Sequence, residues 1–418
     1  MKKFFILISL LILGVNLTGC ADSFQGETQA QEQAAQVVEN LSRAAQEISE
    51  GVVLSDGESG KAAGQAGAES GSGGKEGTGK RDLSENAYDY TQLSEEEQEL
   101  YGIILDGLLE SACDVPIPET DEAVFEKVFQ CVINDHPEIF YVDGYTFIRY
   151  TKGDVLTGNA FSGSYIYDPE EIARRKEQIE EKVSEILVGV PAAGSEYEKV
   201  KYVYEYLITN TEYVQGAEDN QNICSVFLNG RSVCQGYAKA AQYLFNRIGI
   251  FSVFVSGKVE SGEDHAWNIV RVDGDYYHID TTWGDASYVA NGPDADYDGK
   301  LPEINYEYLC VPDSQLFRTH TIGSAVPVPS CDSMAANYYV REGAYFTAAD
   351  MDKAAGLFEK AYEDGNTYVT FKCADSQVYE EMERRLIEQQ EVFRYMHTSD
   401  GTVAYTTNEA QLALSFWL

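Results

Sequence analysis

Three residues near the middle of the chain, Cys234, His265 and Asp280, have the types and spacing that nucleophilic chemistry needs. Cys234 follows Gly230-Arg231-Ser232-Val233 and opens a run with helical spacing as far as Ile248. Its thiol is therefore expected at a helix N-terminus, where the dipole favours an anion. An imidazole within reach would act as general base and later as general acid. A carboxylate behind the ring would hold it in one tautomer and stabilise the imidazolium. The backbone N–H of Cys234 is one oxyanion contact, and the sequence identifies no second donor. Each residue alone has a plainer reading. A cysteine is commonly a small buried hydrophobe, a histidine a satisfied polar group, an aspartate an acceptor at a strand end.

Geometry argues for taking the three together. Val272-Asp273-Gly274-Asp275 reads as a hairpin with a two-residue type I′ turn, so Val272 should face Asp275. Counting back along the ladder, His265 faces Thr282, Trp267 faces Asp280 and Ile269 faces His278. Side chains alternate along strands, so His265, Trp267, Asp280 and His278 should share one face. His265 and Asp280 become diagonal neighbours about 7–8 Å apart at the backbone, close enough for ring and carboxylate to meet. His278 and Trp267 are expected to support that pair. His265, His278 and Asp280 also have the composition of a two-histidine, one-carboxylate metal site, a reading that leaves Cys234 without a purpose.

The blocks Val233-Cys234-Gln235-Gly236-Tyr237-Ala238, His265-Ala266-Trp267-Asn268 and Tyr277-His278-Ile279-Asp280-Thr281-Thr282-Trp283 resemble the three motifs of the transglutaminase-like superfamily. One departure is Thr281, where many relatives carry proline. The segments Asp135–Tyr141 and Asn337–Phe346 also resemble flanks found in bacterial members. The resemblance implies a papain-like core with Cys234, His265 and Asp280 as catalytic triad. It further implies acyl transfer at an amide through a thioester, either peptide hydrolysis or protein cross-linking. The substrates it implies are peptides, proteins or cell-wall peptides. A non-catalytic copy that binds proteins or cell wall is the alternative.

The elements needed to position such a site can be read on both sides of it. Ser94 with Glu97, and Ser195 with Glu198, have the form of capping boxes opening helices. Further helices are expected from Thr120 to Asn134 and from Asp168 to Leu187. Ile139–Val142 reads as a strand with Asp143-Gly144 as its turn. After the helix at Cys234 come strands at Phe251–Val259, Ala266–Val272 and Tyr276–Thr281. A helix near Ala348–Tyr362, a strand at Tyr368–Lys372, a helix at Gln377–Gln390 and a strand near Val403–Thr406 follow. The fold class is α+β: an N-terminal helical accessory region over 87–194, the core over 195–330, and a C-terminal α/β accessory region over 331–418.

Ahead of these lies a different kind of sequence. Lys2 and Lys3 precede an apolar run too short to span a bilayer, ending in Leu17-Thr18-Gly19-Cys20. This resembles the lipobox of bacterial lipoproteins, so 1–20 is expected to be a signal peptide. Cleavage would leave Cys20 as a diacylated, palmitate-type anchor on the extracytoplasmic face of the membrane. Residues 21–86 are poor in aromatics and rich in Gly, Ser and Glu, and read as a tether with a reach on the order of 40–50 Å. Within it, Ala34, Val38, Leu41, Ala45 and Ile48 keep a helical spacing.

A net charge of -39 leaves no basic footprint for nucleic acid, and confines membrane attachment to the lipid. Among eight cysteines there is no C-x-x-C pair, which argues against a structural zinc site. The six other than Cys20 and Cys234 are either paired or buried thiols. Asp294, Asp296 and Asp298 with Gly299 resemble the first half of a calcium loop, but Asn305 stands where the bidentate glutamate belongs. A solvated acidic loop is the preferred reading, so no cofactor is expected, with calcium as the alternative.

Overall fold

The computed structural model describes residues 7–11, 86–152, 155–285, 303–397 and 402–418. Cys20, nearly all of the proposed tether and the Asp294/Asp296/Asp298 loop lie outside them.

Capping starts the helices where the sequence places them. Ser94 accepts from Glu97 N at 3.3 Å while the Glu97 carboxylate accepts from Ser94 N at 2.9 Å, opening α1 (Glu95–Leu109). Asp121 caps α2 (Glu122–Asp135) and Asp168 caps α3 (Pro169–Val188). The second capping box, Ser195 with Glu198, opens α4 (Glu196–Asn210). Between α2 and α3 the expected short strand is a long antiparallel hairpin, β1 (Val142–Lys152) and β2 (Val155–Tyr165). Asp143-Gly144 is not its turn. The register shifts between Val142 and Gly144, so the pair forms an irregularity inside β1. Residues 139–141 make the bend instead, with Val142 N bonded to Ile139 O at 3.3 Å. Strand Val115–Ile117 borders β2, and the backbone of Leu7–Leu11 lies antiparallel to Tyr145–Arg149.

The helices α5 (Ile223–Phe227) and α6 (Cys234–Arg247) lead into the central sheet. That sheet contains β3 (Ser252–Val259), β4 (Asp264–Val272), β5 (Asp275–Ile279), β6 (Leu309–Val311) and β7 (His320–Ile322). The strand order is β6-β5-β4-β3-β7, antiparallel throughout. Alternation gives the sheet two faces. Ala266 and Phe254 pack on Ala238 of α6, and Asn268 Nδ2 donates to Ala238 O at 3.0 Å. Val253, Val255, Trp267 and Ile269 pack together with Tyr308, Val311 and Leu316.

Residues of α1, α2, β1 and α3 share one apolar core with α4, α6, β4 and β5. The N-terminal region is thus built onto the catalytic-type core through common burial. Asp135 ties its first turn down, accepting from Asp89 N (3.0 Å), Tyr90 N (2.9 Å) and the Tyr101 hydroxyl (3.0 Å). The C-terminal region has its own core. Its elements are α7 (Met351–Glu363), β8 (Tyr368–Cys373), α8 (Ser376–Glu383), β9 (Tyr405–Asn408) and β10 (Ala413–Trp417). β8 lies between Tyr345–Phe346 and β10. The helix expected to reach Gln390 leaves α-geometry at Arg384–Glu388, and Gln390 itself turns to φ 59°. Lys372 links this region to the core: buried, it donates to Glu307 O and Gln411 Oε1, both at 3.2 Å. All described residues belong to one compact unit. Among them no helix is long and apolar enough to cross a membrane.

Gly257 shows how tightly the sheet is closed around the candidate site. It pairs with His265, and a Cβ there would run into the Thr321 carbonyl and lie 2.7 Å from the Trp267 ring. Neither neighbour is a flexible chain end, so something rigid must move. Gly257→Ala is expected to cost about 1–3 kcal/mol, as overpacking does. A thermal unfolding midpoint equal to that of the parent chain would contradict this.

Candidate active site

Cys234 is the first residue of α6, and its position follows from the strand before it. Glu212–Tyr213 pairs in parallel with Arg231–Ser232, which brings the chain to Val233 in extended conformation. Val233 caps α6 without a side-chain hydrogen bond, so its own side chain does not occupy the first-turn amides. Gly236 is required here, because a Cβ would collide with Ser232 Oγ and lie 2.8 Å from Ser225 Oγ. Those hydroxyls bond to each other at 2.7 Å. Tyr237 pins the same turn through bonds to Thr211 O (2.8 Å) and Asp285 Oδ2 (2.6 Å). The Cys234 thiol is half-buried.

The hairpin turn is of the expected kind. Asp273 and Gly274 have φ of 52° and 93°, and Val272 pairs with Asp275. The ladder runs to Asn268 opposite Ile279 and then ends, three positions short of the expected His265–Thr282 pair. Asp280 N turns instead to Tyr308 O at 3.1 Å. The side chains still meet: His265 Nε2 lies 2.7 Å from Asp280 Oδ2. That contact leaves Nδ1 as the ring nitrogen for Cys234, whose side chain interacts with the imidazole.

Asp280 is fully buried and fully partnered. Its Oδ1 accepts from Thr282 N (2.9 Å) and Trp283 N (3.0 Å), while Oδ2 accepts from His265 and from His320 Nε2 at 3.2 Å. Burial works against the anion, but the facing His265 charge and the bonds from both rings hold its carboxyl well below the usual range. Burial likewise opposes charge on His265. The Asp280 carboxylate, its hydrogen bond and the Cys234 thiol overcome that and push the imidazole up to about 10. The buried pair therefore favours an imidazolium held by a carboxylate, next to the Cys234 sulfur.

His278 and Trp267 do lie behind this pair, though in a different arrangement from a metal triad. Trp267 Nε1 donates to His278 Nδ1 at 3.0 Å, and the Trp267 ring stacks on His265 with centroids 6.1 Å apart. Because indole N–H only donates, His278 carries its proton on Nε2 and gives it to Asp313 Oδ1 at 2.8 Å. Burial pushes His278 below its ordinary value against the pull of Asp313. Ligand-type atoms gather within 4.8 Å in two sets, His265/Asp280/His320 and His278/Asp313/Cys331. In each set an imidazole Nε2 lies within hydrogen-bond distance of the carboxylate.

Two residues here carry no signal in the sequence reading. His320 is 40 positions beyond Asp280 and arrives on the opposite edge of the sheet through the pairing of β7 with β3. Tyr213 packs with Val233 and Tyr237. Burial, then the proximity of Cys234, Glu263 and Asp280, pushes its phenol up, so it remains a protonated donor. No spacing rule links either residue to the motif blocks. Cys113, Cys131, Cys224, Cys310, Cys331 and Cys373 are all free thiols, so the pairing left open by the sequence does not occur among them.

A nucleophilic-type cysteine at a helix N-terminus, facing a sheet-borne histidine and aspartate, defines the papain-like arrangement. Residues 187–281 match the family model of the transglutaminase-like superfamily, so the segment bearing Cys234, His265 and Asp280 is similar to that family's core. The kyphoscoliosis peptidase of Mus musculus is 28% identical over 125 residues, covering 26% of this chain. The matched stretch spans only 18% of that protein's length. Among solved structures, a TGase aligns at 16% identity and TM-score 0.25, covering 38% of this chain and 47% of its own. A candidate cysteine protease from Cytophaga hutchinsonii aligns at 16% identity and TM-score 0.23, covering 30% and 51%.

Proposed function

We propose that this protein is a cysteine-nucleophile acyl transferase acting on amides, with Cys234 as nucleophile, His265 as acid and base, and Asp280 orienting the ring. The observation that carries the reading is the 2.7 Å contact of His265 Nε2 with Asp280 Oδ2, on an imidazole that also interacts with Cys234. Attack of the thiolate on an amide carbonyl forms a tetrahedral oxyanion, for which the uncapped first-turn amides of α6 are oriented donors. His265 then passes its proton to the leaving amine and a thioester remains. Water resolving it makes a peptidase or amidase; an amine makes a cross-link. Hydrolysis is favoured here because no residue marks an amine acceptor site. The lipobox-like Cys20 and the tether support a lipid-anchored enzyme on the outer face of a bacterial membrane, working on peptide, protein or cell-wall peptide.

Alkylation tests this without a known substrate. With iodoacetamide at pH 6, and mass spectrometry to locate the adduct, Cys234 should react at least about tenfold faster than a small model thiol. His265→Ala should remove the advantage. A Cys234 no faster than the model thiol would sink the reading in favour of a binding module.

A further inference from the structure

Asp280 stands at the end of two imidazoles, and only one of them faces the thiol. His320 is 1% exposed, and its Nε2 meets Asp280 Oδ2 at 3.2 Å, the same oxygen that His265 meets at 2.7 Å. Its Nδ1 is held by Thr319 Oγ1 at 2.8 Å. The ring is walled by Trp283, Trp267 and Tyr308 at centroid distances of 4.7, 5.2 and 5.8 Å, and cannot turn without moving them. An ionised carboxylate has about four lone-pair positions. Here two backbone amides fill Oδ1 and two imidazoles fill Oδ2.

From this geometry we infer that His320 is a positioning residue of the site: it fixes the rotation of Asp280 and shares its Oδ2, thereby setting how strongly that carboxylate holds His265. The inference rests on the proposed Cys234–His265 chemistry and adds a fourth member to it. Two effects follow. Four donors on one carboxylate leave it no alternative rotamer, so the oxygen facing His265 is always the same one. A second donor on Oδ2 also draws off part of the negative charge that would otherwise bear on His265 alone. Without His320, the Asp280–His265 bond should strengthen and the imidazole should release its proton less readily. The sign is the same whether His320 donates as a neutral or a charged ring. Other titratable groups near this cluster are Cys234 on α6, Tyr204 on α4, Tyr213, Tyr308 and His278 on β5.

The test is the pH profile of Cys234 alkylation in the full chain with two substitutions of His320. His320→Leu fills the space and removes the donor, whereas His320→Gln can return an amide N–H to the place of Nε2. The limb that reports His265 should move upward by about half a pH unit or more in His320→Leu. It should return toward the parent position in His320→Gln. A folded His320→Leu chain with an unmoved limb would overturn the inference, as would a glutamine variant that behaves like the leucine one. Should His320→Leu not fold, 15N-histidine spectra of the parent chain decide. Protonated Nε2 on both His265 and His320 supports the shared carboxylate, and a His320 proton found only on Nδ1 overturns it. Failure of the functional reading looks different: the parent Cys234 itself would show no enhanced reactivity.

Discussion

Cys234→Ala is expected to abolish amide turnover while leaving the fold intact. The side chain is half-buried at the first position of α6, where alanine is a good helix residue and no hydrogen bond within the helix depends on the sulfur. Without the sulfur no thioester forms. Loss of a nucleophile that works as a unit with its base costs roughly 10⁶ in kcat. What survives is substrate binding and the oxyanion donors, worth on the order of 10³–10⁴ over water. The double change Cys234→Ala with His265→Ala should therefore be hardly worse than the single one, because the two residues serve one step. A screen of peptide and cell-wall fragments, with and without an added amine, supplies the assay. Thermal unfolding supplies the control. Retention of more than about a tenth of parent turnover by a folded Cys234→Ala chain would remove the thiol from the mechanism.

How much of this site was legible beforehand depends on whether the signal was local. The Asp273-Gly274 turn forces positive φ at both positions, and that single constraint propagates along β4 and β5 to bring His265 near Asp280. Ser94, Asp121, Asp168 and Ser195 cap their helices for reasons confined to four residues, and they were readable for the same reason. The failures are non-local or lie where glycine blurs the pattern. β2 contains Gly158 and Gly163, which hide the alternation of a strand, although Gly163 is there because a Cβ would strike Leu108 and Tyr165. β10 is a short apolar run whose pairing with β8 is set by tertiary contact. His320 is the sharpest case. Nothing near it in sequence says that β7 will pair with β3 and carry the ring under Asp280. A ladder that ends at Asn268–Ile279 likewise depends on Tyr308 capturing Asp280 N, a contact across 28 residues that no hairpin rule contains.

Asp280→Asn separates orientation from nucleophilicity. Asparagine keeps the shape, and its carbonyl can still accept from Thr282 N and Trp283 N, as Oδ1 does at 2.9 and 3.0 Å. Its NH₂ then occupies the place of Oδ2, facing the Nε2 protons of both His265 and His320. Donor against donor is untenable in a fully buried site, so His265 must shift its proton to Nδ1, the nitrogen that faces the thiol. It can then no longer serve as base there. The expected loss in kcat is about 10³–10⁴, the scale seen when a triad carboxylate becomes an amide. Stability should fall as well, by about 3–5 kcal/mol, since removing one partner breaks a buried ion pair. The pH dependence gives an independent check. His265 is raised above its unfolded value, so its contribution is complete below about 6.5 and is lost as pH rises through about 10. Asp280 is depressed, so its contribution is present above about 3.8 and disappears as pH falls through its lower folded value. The parent chain should therefore gain stability from this pair across the window between those limits, and Asp280→Asn should lose that gain. Unfolding midpoints measured from pH 4 to pH 10 decide the matter. A difference between parent and variant that is flat across the whole range would mean that Asp280 and His265 are not an ion pair. The base would then need a partner other than Asp280 to hold its tautomer.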